Sequence, residues 1–339
     1  MEDGLLIFTG ANSSLGIPAA DYVLRTYPAY TVLFTVRNAS DSDPNTKRLR
    51  HTISLHPNAK AFVVALDLAS LTATHAFADT VISGIQNGQY PPIVSIVCNA
   101  YYWNLTAGPE LTADGYDKVF QVGHIAHSAL VLRLLGSFRE SLAGRVVMLS
   151  SDSHWPGKNA MEKYPPILPG DMELLAKPSM EPDPDKQGRG FQRYATTKLA
   201  ITTWMYALND HLEKDSNLKA LTTIAINPGN LVDSRALHTN TPRSLVLMQT
   251  FVYKPLLPIL RLIMGPTLRT AAPAGHDVVE LALNPRYAGQ RGYYTLLQKD
   301  QSSPDSQDKG KQSGLWAKTL MWAKINQERT KLQLHSNKI

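Results

Sequence analysis

Cysteine is nearly absent from this sequence: Cys98 is the single one in 339 residues. One thiol cannot form an internal disulfide, so a scaffold held together by disulfides is excluded. Cys98 ends an apolar run of strand type, which indicates a buried and inert thiol. We therefore expect a cytoplasmic protein from a reducing compartment.

Long uninterrupted hydrophobic runs are also absent. The first apolar run, Leu5 to Thr9, is too short for a signal peptide, and the acidic residues Glu2 and Asp3 precede it. The strongly apolar segment 243–266 is interrupted by charged residues and prolines, whereas a spanning helix needs about 20 apolar residues without such breaks. We interpret 243–266 as a flap over a substrate or as a segment at a membrane interface, so peripheral membrane association stays open.

Charge of either sign is not concentrated in one block. The net charge of +6 is spread along the chain, with a local basic excess in the last 30 residues. There is no repeat of aromatic and basic residues of the kind that indicates nucleic-acid binding. We expect neither a nucleic-acid partner nor a bound metal.

What the sequence does contain is an alternation of strand and helix patterns with a period of roughly 30 to 40 residues, which predicts βαβ units and a parallel sheet. We predict strands at 5–9, 31–36, 61–66, 93–98, 145–150, 221–226 and 292–296. We predict helices at 15–27, 70–87, 113–142, 191–214 and 273–283.

Two stretches break this rhythm, namely a proline-rich insertion at 154–190 and the apolar flap at 243–266. The pattern predicts one domain over 1–298. A polar linker at 299–313 and a C-terminal helix at 314–339 are expected to follow it.

A glycine turn follows the first strand, with the sequence TGANSSLG from Thr9 to Gly16. Glycines permit the tight turn and the close approach of helix to strand, so that the N–H groups of the first helical turn can receive a pyrophosphate. Serine stands where the usual G-x-x-x-G-x-G spacing has its middle glycine. A strand, loop and helix without a ligand is the alternative. The predicted cofactor contacts in this turn are Gly10, Asn12, Ser13, Ser14, Leu15 and Gly16.

The second strand ends in Arg37, where an enzyme that binds a ribose 2′-hydroxyl carries an acid. A cation at this position accommodates a 2′-phosphate instead. Arg37 therefore favours NADP(H) over NAD(H), although a solvated strand-end cation is the alternative.

Tyr194 and Lys198 are four residues apart in FQRYATTKLA, which places them one turn apart on one helix face. A nearby ammonium favours the phenolate and lowers the pKa of a tyrosine. We therefore expect this pair to act as a general acid and base.

Together these motifs resemble those of the short-chain dehydrogenase/reductase superfamily over nearly the whole chain. The resemblance is closest to the 3-keto-steroid reductase branch and then to retinol-dehydrogenase-like enzymes. The segments that carry it are TGANSSLG, Arg37, Asp67-Leu68, CNA at 98–100, LSS at 149–151, YATTK at 194–198 and NPG at 227–229.

The resemblance implies a Rossmann fold, that is, a doubly wound parallel sheet of about seven strands with helices on both faces. It also implies a catalytic group of Ser151, Tyr194 and Lys198, with Ser150 and Ser153 as alternatives to Ser151. Members of the superfamily often form homodimers through the helix that bears the tyrosine and the helix before it. Further cofactor contacts are implied at Asp67, Leu68, Asn99, Ala100, Tyr194, Lys198, Pro228, Gly229 and Leu231.

Three positions depart from the pattern of the superfamily. Tyr101 replaces a glycine after CNA, and Gly123 stands where an asparagine usually supports a water relay to the lysine. The threonine expected after PG is missing, which leaves Asp233 or Ser234 to face the carboxamide region.

The sequence thus favours an NADPH-dependent carbonyl reductase for a bulky hydrophobic ketone or aldehyde, such as a steroid, a polyketide or another secondary metabolite. The flap and the aromatic residues Tyr101, Tyr102, Trp103 and Trp155 suit such a substrate. Two alternatives stay open: a non-redox cyclase, epimerase or isomerase that binds NADP(H), and a nucleotide-binding sensor.

Overall fold

The central strands carry buried apolar side chains on both faces. In the first strand, Leu5 and Ile7 pack into one core and Leu6 and Phe8 into the other, and all four are fully buried. A sheet that is apolar on both faces needs helices above and below it. The computed structural model, which describes residues 4–139, 143–179 and 185–334, has this arrangement.

The strands of the described residues are β1 (Leu5–Thr9), β2 (Thr31–Val36), β3 (Lys60–Ala65), β4 (Ile93–Cys98), β5 (Arg145–Leu149), β6 (Thr222–Asn227), β7 (Asn230–Leu231), β8 (Leu268–Arg269), β9 (Gly292–Thr295) and β10 (Gln298–Lys299). The main sheet has the order β10-β9-β6-β5-β4-β1-β2-β3 and is parallel except for β10, which pairs antiparallel with β9. A separate parallel pair is formed by β7 and β8.

The α-helices are α1 (Gly16–Thr26), α2 (Pro44–Ser54), α3 (Leu71–Gln86), α4 (Lys118–Phe120), α5 (Ala126–Leu134), α6 (Glu173–Ala176), α7 (Lys186–Lys214), α8 (Arg243–Met248), α9 (Leu257–Met264), α10 (Ala271–Leu283), α11 (Pro304–Gln307) and α12 (Lys309–Trp322). Helices α1, α2 and α10 pack on one face of the sheet, and α3, α5, α7 and α12 pack on the other. Two π-helical turns, Gln121–Ile125 and Gln249–Tyr253, follow α4 and α8.

The predicted fold class is confirmed. The seven predicted strands coincide with β1 to β6 and β9 to within one residue at each end. The order 3-2-1-4-5-6 of the first six strands is that of the Rossmann fold, with β9 continuing the parallel sheet beyond β6.

The helix predicted over 113–142 is wrong as a single element. The chain passes from α4 through a π-helical turn into α5 and ends in a 3₁₀ turn at Leu135–Ser137. Residues 140–142 lie outside the described residues. The π-helical turn contains Gly123, where an added Cβ would lie only 2.6 Å from Thr197 Cγ2.

Helix α2 was not predicted from the sequence, and the prediction of a polar linker was wrong. Only Thr46 and Leu49 of α2 are buried, so its apolar stripe is too weak to predict a helix. Its start was nevertheless readable, because Asp43 caps the helix and a proline follows at the first position. The predicted linker 299–313 is wrong, since it contains α11 and the first turns of α12, while 335–339 lie outside the described residues.

One described helical stretch, Lys118–Ser137, is long and apolar enough to cross a membrane, but 83% of its apolar window is buried inside the fold. The flap helices Arg243–Tyr253 and Leu257–Met264 pass the same test only as a pair, and they are bent by 96° relative to each other.

Helix α12 covers α7 and the π-helical turn. The Trp316 ring stacks on Trp204 and on His211, with ring centroids 5.9 and 4.1 Å apart, and Thr319 Oγ1 lies 2.9 Å from His124 Nε2. Helix α7 and the helical segment before it, which includes the π-helical turn Gln121–Ile125, are the elements through which the resemblance implies dimerisation. A homodimer at this face would have to displace α12.

Candidate active site

The candidate site lies at the carboxyl ends of β1, β4, β5 and β6. In an open parallel sheet the strand order reverses between the first strand and its neighbour, and the connecting loops separate there to leave a crevice. Here β1 has β2 on one side and β4 on the other. The glycine turn, the CNA segment and the LSS segment therefore converge on one edge.

The glycine turn is held by close packing and by Asn99. Gly10 has a φ of +64°, and an added Cβ would lie 2.9 Å from the Ala100 Cα atom. At Gly16 an added Cβ would lie 2.4 Å from the Ala11 carbonyl oxygen. The Asn99 amide donates to the carbonyl oxygens of Thr9 and Gly10 at 2.9 and 3.0 Å. Both glycines are thus required by the backbone geometry of the turn.

A buried histidine, His127, connects this turn to the π-helical turn. His127 Nδ1 lies 3.1 Å from the Gly123 carbonyl oxygen, which can only accept, so Nδ1 carries the proton. Nε2 then accepts from the Thr9 hydroxyl at 2.9 Å. Burial, with a smaller contribution from the charge of Lys198, lowers the pKa of His127 to about 4 against the opposite effect of its hydrogen bond to Gly123. His127 therefore stays neutral beside Lys198, and no sequence motif pointed to it.

Ser151 and Tyr194 are brought together by β5 and α7. Burial raises the pKa of Tyr194 most, Tyr101 and Asp152 raise it further, and a side-chain hydrogen bond with Ser151 lowers it. The Ser151 hydroxyl also donates to Asp152 Oδ1 at 3.1 Å. Tyr194 is thus a protonated phenol with a serine hydroxyl beside it.

The alternative serines point elsewhere. Ser150 is buried, and its Oγ lies 2.7 Å from Thr202 Oγ1 within the core. Ser153 is fully buried, and its Oγ has no hydrogen-bond partner among the described residues. Of the three, Ser151 is the serine whose side chain acts on the pKa of Tyr194.

Lys198 is buried below the tyrosine. Its Nζ donates to the Leu149 carbonyl oxygen at 2.6 Å and lies 5.4 Å from the ring centroids of both Tyr194 and Tyr101. Burial lowers the pKa of Lys198 to about 7. The expected lowering of the Tyr194 pKa by Lys198 is not found, because burial penalises the charged form of each group.

His154 connects the loop that carries Ser151 to the C-terminal segment. Its Nδ1 donates to the Ser151 carbonyl oxygen at 2.6 Å, and its Nε2 accepts from the Ser303 backbone N–H at 3.0 Å. The ring packs on Tyr293 with centroids 4.7 Å apart. No motif could reveal this role, because 149 residues separate His154 from Ser303.

An aromatic cluster surrounds the Tyr194 ring. The ring centroids of Tyr101, Trp103 and Phe191 lie 5.8, 5.6 and 5.9 Å from that of Tyr194. The cluster was predicted only in part, because the Tyr102 hydroxyl donates to a surface acid, Glu110 Oε2, at 2.6 Å. Trp155 instead lies under the Lys158 ammonium, whose nitrogen is 5.1 Å from the Trp155 ring centroid.

The predicted cofactor residues outside the glycine turn differ in their exposure and in the contacts that they make. Arg37 is exposed at the end of β2 and has no ion pair among the described residues. Asp67 is exposed, and its Oδ1 accepts from the Ala69 N–H at 3.0 Å, which is a loop-capping contact. Leu68 is buried, and its carbonyl oxygen accepts from the Gln121 amide at 3.4 Å.

The NPG segment forms the base of the flap. Gly229 has a φ of +87°, and Leu231 pairs with Arg269 where β7 meets β8. Arg269 Nε donates to the Pro228 carbonyl oxygen at 2.9 Å and its guanidinium pairs with Asp277 at 2.7 Å. The two ends of the flap are therefore clamped together and to α10.

The two residues left by the missing threonine, Asp233 and Ser234, accept hydrogen bonds from backbone N–H groups. Asp233 Oδ1 accepts from the Ala271 N–H at 2.8 Å, and Ser234 Oγ accepts from the Ala236 N–H at 3.3 Å. A hydrogen bond from Ser234 also lowers the pKa of Tyr101, against the larger opposite effect of burial.

Comparison with known proteins gives three matches in line with this geometry. A family model, the AcuH dehydrogenase domain, matches residues 235–332. Dehydrogenase acuH of Aspergillus aculeatus is 48% identical over 26% of this chain and 90% of its own length. Short-chain dehydrogenase iccH of Talaromyces variabilis is 27% identical over 98% of this chain and 99% of its own. The chain belongs to the short-chain dehydrogenase/reductase superfamily.

A solved structure agrees with the fold. A variant of actinorhodin polyketide ketoreductase, solved with NADPH, superposes with a TM-score of 0.55 and 17% identity, over 87% of this chain and 96% of its own. At this identity the likeness shows the fold alone. As a member of the short-chain dehydrogenase/reductase superfamily, the chain is an oxidoreductase.

Proposed function

We propose that this short-chain dehydrogenase/reductase is an NADPH-dependent reductase of a bulky hydrophobic ketone or aldehyde of the secondary-metabolite type. The observation that carries the proposal is the setting of Tyr194, which lies near Ser151 and buried Lys198 and is surrounded by aromatic rings. A protonated phenol beside a hydroxyl donor can deliver a proton to a carbonyl oxygen. An aromatic lining favours an apolar substrate.

The glycine turn fits a dinucleotide. Its backbone approaches Ala100 so closely that no Cβ is tolerated at Gly10. Helix α1 begins at Gly16 with no acidic residue in its first turn, and its N-cap residue, Leu15, provides no side-chain hydrogen bond. These features suit a bound pyrophosphate.

Cations gather around the same turn. The Arg235 guanidinium donates to the Asn12 carbonyl oxygen, and the Arg235 backbone N–H donates to Ser14 Oγ at 2.9 Å. Burial lowers the pKa of Arg235 most, and the charge of Arg48 lowers it further, whereas the charge of Asp43 raises it. With Arg37 exposed at the end of β2, this positive field supports a cofactor with a phosphate on its ribose. The sequence analysis predicted Arg37 but neither of the other two.

The catalytic residues divide the proton chemistry between them. Ser151 donates a hydrogen bond to the substrate carbonyl oxygen and stabilises the charge that develops there. Tyr194 donates its proton to the same oxygen. The nicotinamide supplies the hydride when the cofactor is bound. Lys198, with a pKa of about 7, can return a proton to the Tyr194 phenolate at neutral pH.

The experiment that tests this proposal is NADPH oxidation with a panel of hydrophobic ketones and aldehydes that includes steroid and polyketide-type carbonyls. We expect turnover of at least one bulky apolar carbonyl, with an alcohol recovered in amounts equal to the NADPH consumed. Conversion of a panel member without NADPH consumption would instead identify a non-redox enzyme. Binding of NADPH with no conversion of any member would favour the sensor.

A further inference from the structure

The outer part of the flap exposes a large apolar surface. Helix α9 has no buried residue, and the exposed fractions of Leu262 and Ile263 reach 87% and 77%. We define the flap surface by six of its exposed apolar side chains, which are Leu247, Phe251, Leu256, Ile259, Leu262 and Ile263. Large apolar side chains exposed in this number within one segment indicate an interaction site.

The charged residues within the flap have one sign only. Between Asp233 and Asp277 the sequence contains no acidic residue. Three exposed cations, Arg243, Lys254 and Arg261, lie within the flap, and none of them has an ion pair among the described residues. An apolar face with a purely basic rim is complementary to a surface that is apolar below and anionic above.

The shape of the flap suits a membrane interface better than a membrane span. Helix α9 has 8 residues, far fewer than the about 20 that cross a bilayer. It is bent by 96° from the preceding helix, so α9 can lie flat on a surface while α8 runs back into the protein. The base of the flap is clamped by the β7–β8 pair, which fixes the direction in which the apolar face points.

A second copy of the chain fits this surface less well. Two flap surfaces that met face to face would bring the same three cations together, which is repulsive. An anionic bilayer offers opposite charge to each of them and apolar depth to Leu262 and Ile263.

We propose that the flap surface docks the protein on the interface of an anionic lipid bilayer. The root of the flap supports a link to the candidate active site, because Leu245 of α8 is buried in a cluster with Trp103 and Phe191, which contact Tyr194. A hydrophobic substrate dissolved in the bilayer would then enter beside α8. The docking itself does not depend on the proposed reductase activity.

The test is co-sedimentation of the full chain with vesicles of phosphatidylcholine alone and with 30% phosphatidylserine, a fraction of about the order found in anionic leaflets. We expect the protein to bind the anionic vesicles at least about tenfold more tightly than the neutral vesicles, because each nearby basic residue adds to the affinity. The double variant Leu262→Ser and Ile263→Ser should lose at least about tenfold on anionic vesicles, since buried apolar area is lost.

Leu55→Ser is the matched control, because Leu55 is 62% exposed but follows α2, away from the flap. It should bind vesicles as the unmodified chain does, and thermal melts should show that all variants are folded. Lys254→Glu with Arg261→Glu should abolish the preference for anionic lipid. Equal loss in the Leu55 control, or no vesicle binding together with concentration-dependent dimers in sedimentation, would overturn the proposal. Neither readout uses substrate turnover, so failure of the reductase proposal would not affect it.

Discussion

At the scale of single residues, the candidate site is defined by burial as much as by charge. Burial raises the pKa of Tyr194 and lowers that of Lys198 to about 7. Each group is therefore held in the form that the proposed reduction needs, namely a protonated phenol and a lysine that can exchange its proton at neutral pH.

Arg37 decides the cofactor in this account. Because Arg37 stands at the end of β2 without an ion pair in the described part of the chain, NADPH should bind at least about tenfold more tightly than NADH, or roughly 1.4 kcal/mol. Arg37→Asp should reverse the order, since a carboxylate repels a 2′-phosphate and bonds a ribose diol. Titration of protein fluorescence with each cofactor measures both affinities. Equal affinities in the unmodified protein would discard the assignment.

His154 should position the catalytic serine through its backbone. His154→Asn can keep a donor near the Nδ1 position, toward the Ser151 carbonyl, whereas His154→Gln places its amide nearer the Nε2 position, toward Ser303. We expect the Asn variant to keep kcat within about threefold and the Gln variant to lose about tenfold, because small displacements of catalytic groups are costly.

The two His154 variants also serve as controls for each other. Both lose one buried hydrogen bond, so their melting temperatures should fall by similar amounts. If kcat follows melting temperature in both variants, His154 has only a structural role.

The local motifs predicted the core of the site, but not its support. Tyr194 and Lys198 share one helix face, so their spacing in the sequence already implies that they are neighbours. His154 and Arg235 act on residues that are distant in the chain, at Ser303 and at the glycine turn. Such contacts depend on how whole elements pack, and no local pattern records them.

At the scale of elements, the π-helical turn Gln121–Ile125 and α12 form one buried unit. Gly123 permits the close approach of the π-helical turn to Thr197, and His124 in the same turn meets Thr319 of α12. The sequence showed an uninterrupted apolar pattern here, so a single helix was the reasonable prediction. The irregularity comes from tertiary packing against α7, which periodicity does not contain.

His124 makes this unit sensitive to acid. Burial, with a smaller effect of His127, lowers the pKa of His124 to about 3, whereas an unfolded imidazole binds a proton below about pH 6.5. Between these values the unfolded chain holds more protons, so stability falls as the pH falls below about 6.5.

The expected result is a smaller acid effect in His124→Phe. Its melting temperature should drop by a few degrees less than that of the unmodified chain between about pH 7.5 and 5.0. His51→Gln, which changes an exposed histidine, is the control and should show the unmodified drop. An identical drop in His124→Phe would contradict the assignment.

At the scale of the whole molecule, the C-terminal region is integrated into the superfamily fold rather than appended to it. Helix α12 packs on the helix that carries Tyr194 and Lys198, and Ser303 reaches the catalytic serine loop through His154. The polar composition of 299–313 predicted a linker, but Ser302, Ser303, Ser306 and Gln312 are buried and bond to one another or to the core. Composition alone cannot distinguish a solvated polar segment from a buried one that packs on the core.

The central claim is that this chain reduces a hydrophobic carbonyl with Tyr194 as the proton donor. The most direct test compares the unmodified protein with Tyr194→Phe, which keeps the ring in its aromatic cluster and removes only the hydroxyl. With the best carbonyl of the panel, kcat should fall by about 10² or more, the scale of general acid catalysis, while the dissociation constant for NADPH stays within about threefold. A Tyr194→Phe variant that retains most of the NADPH-dependent turnover would contradict the account.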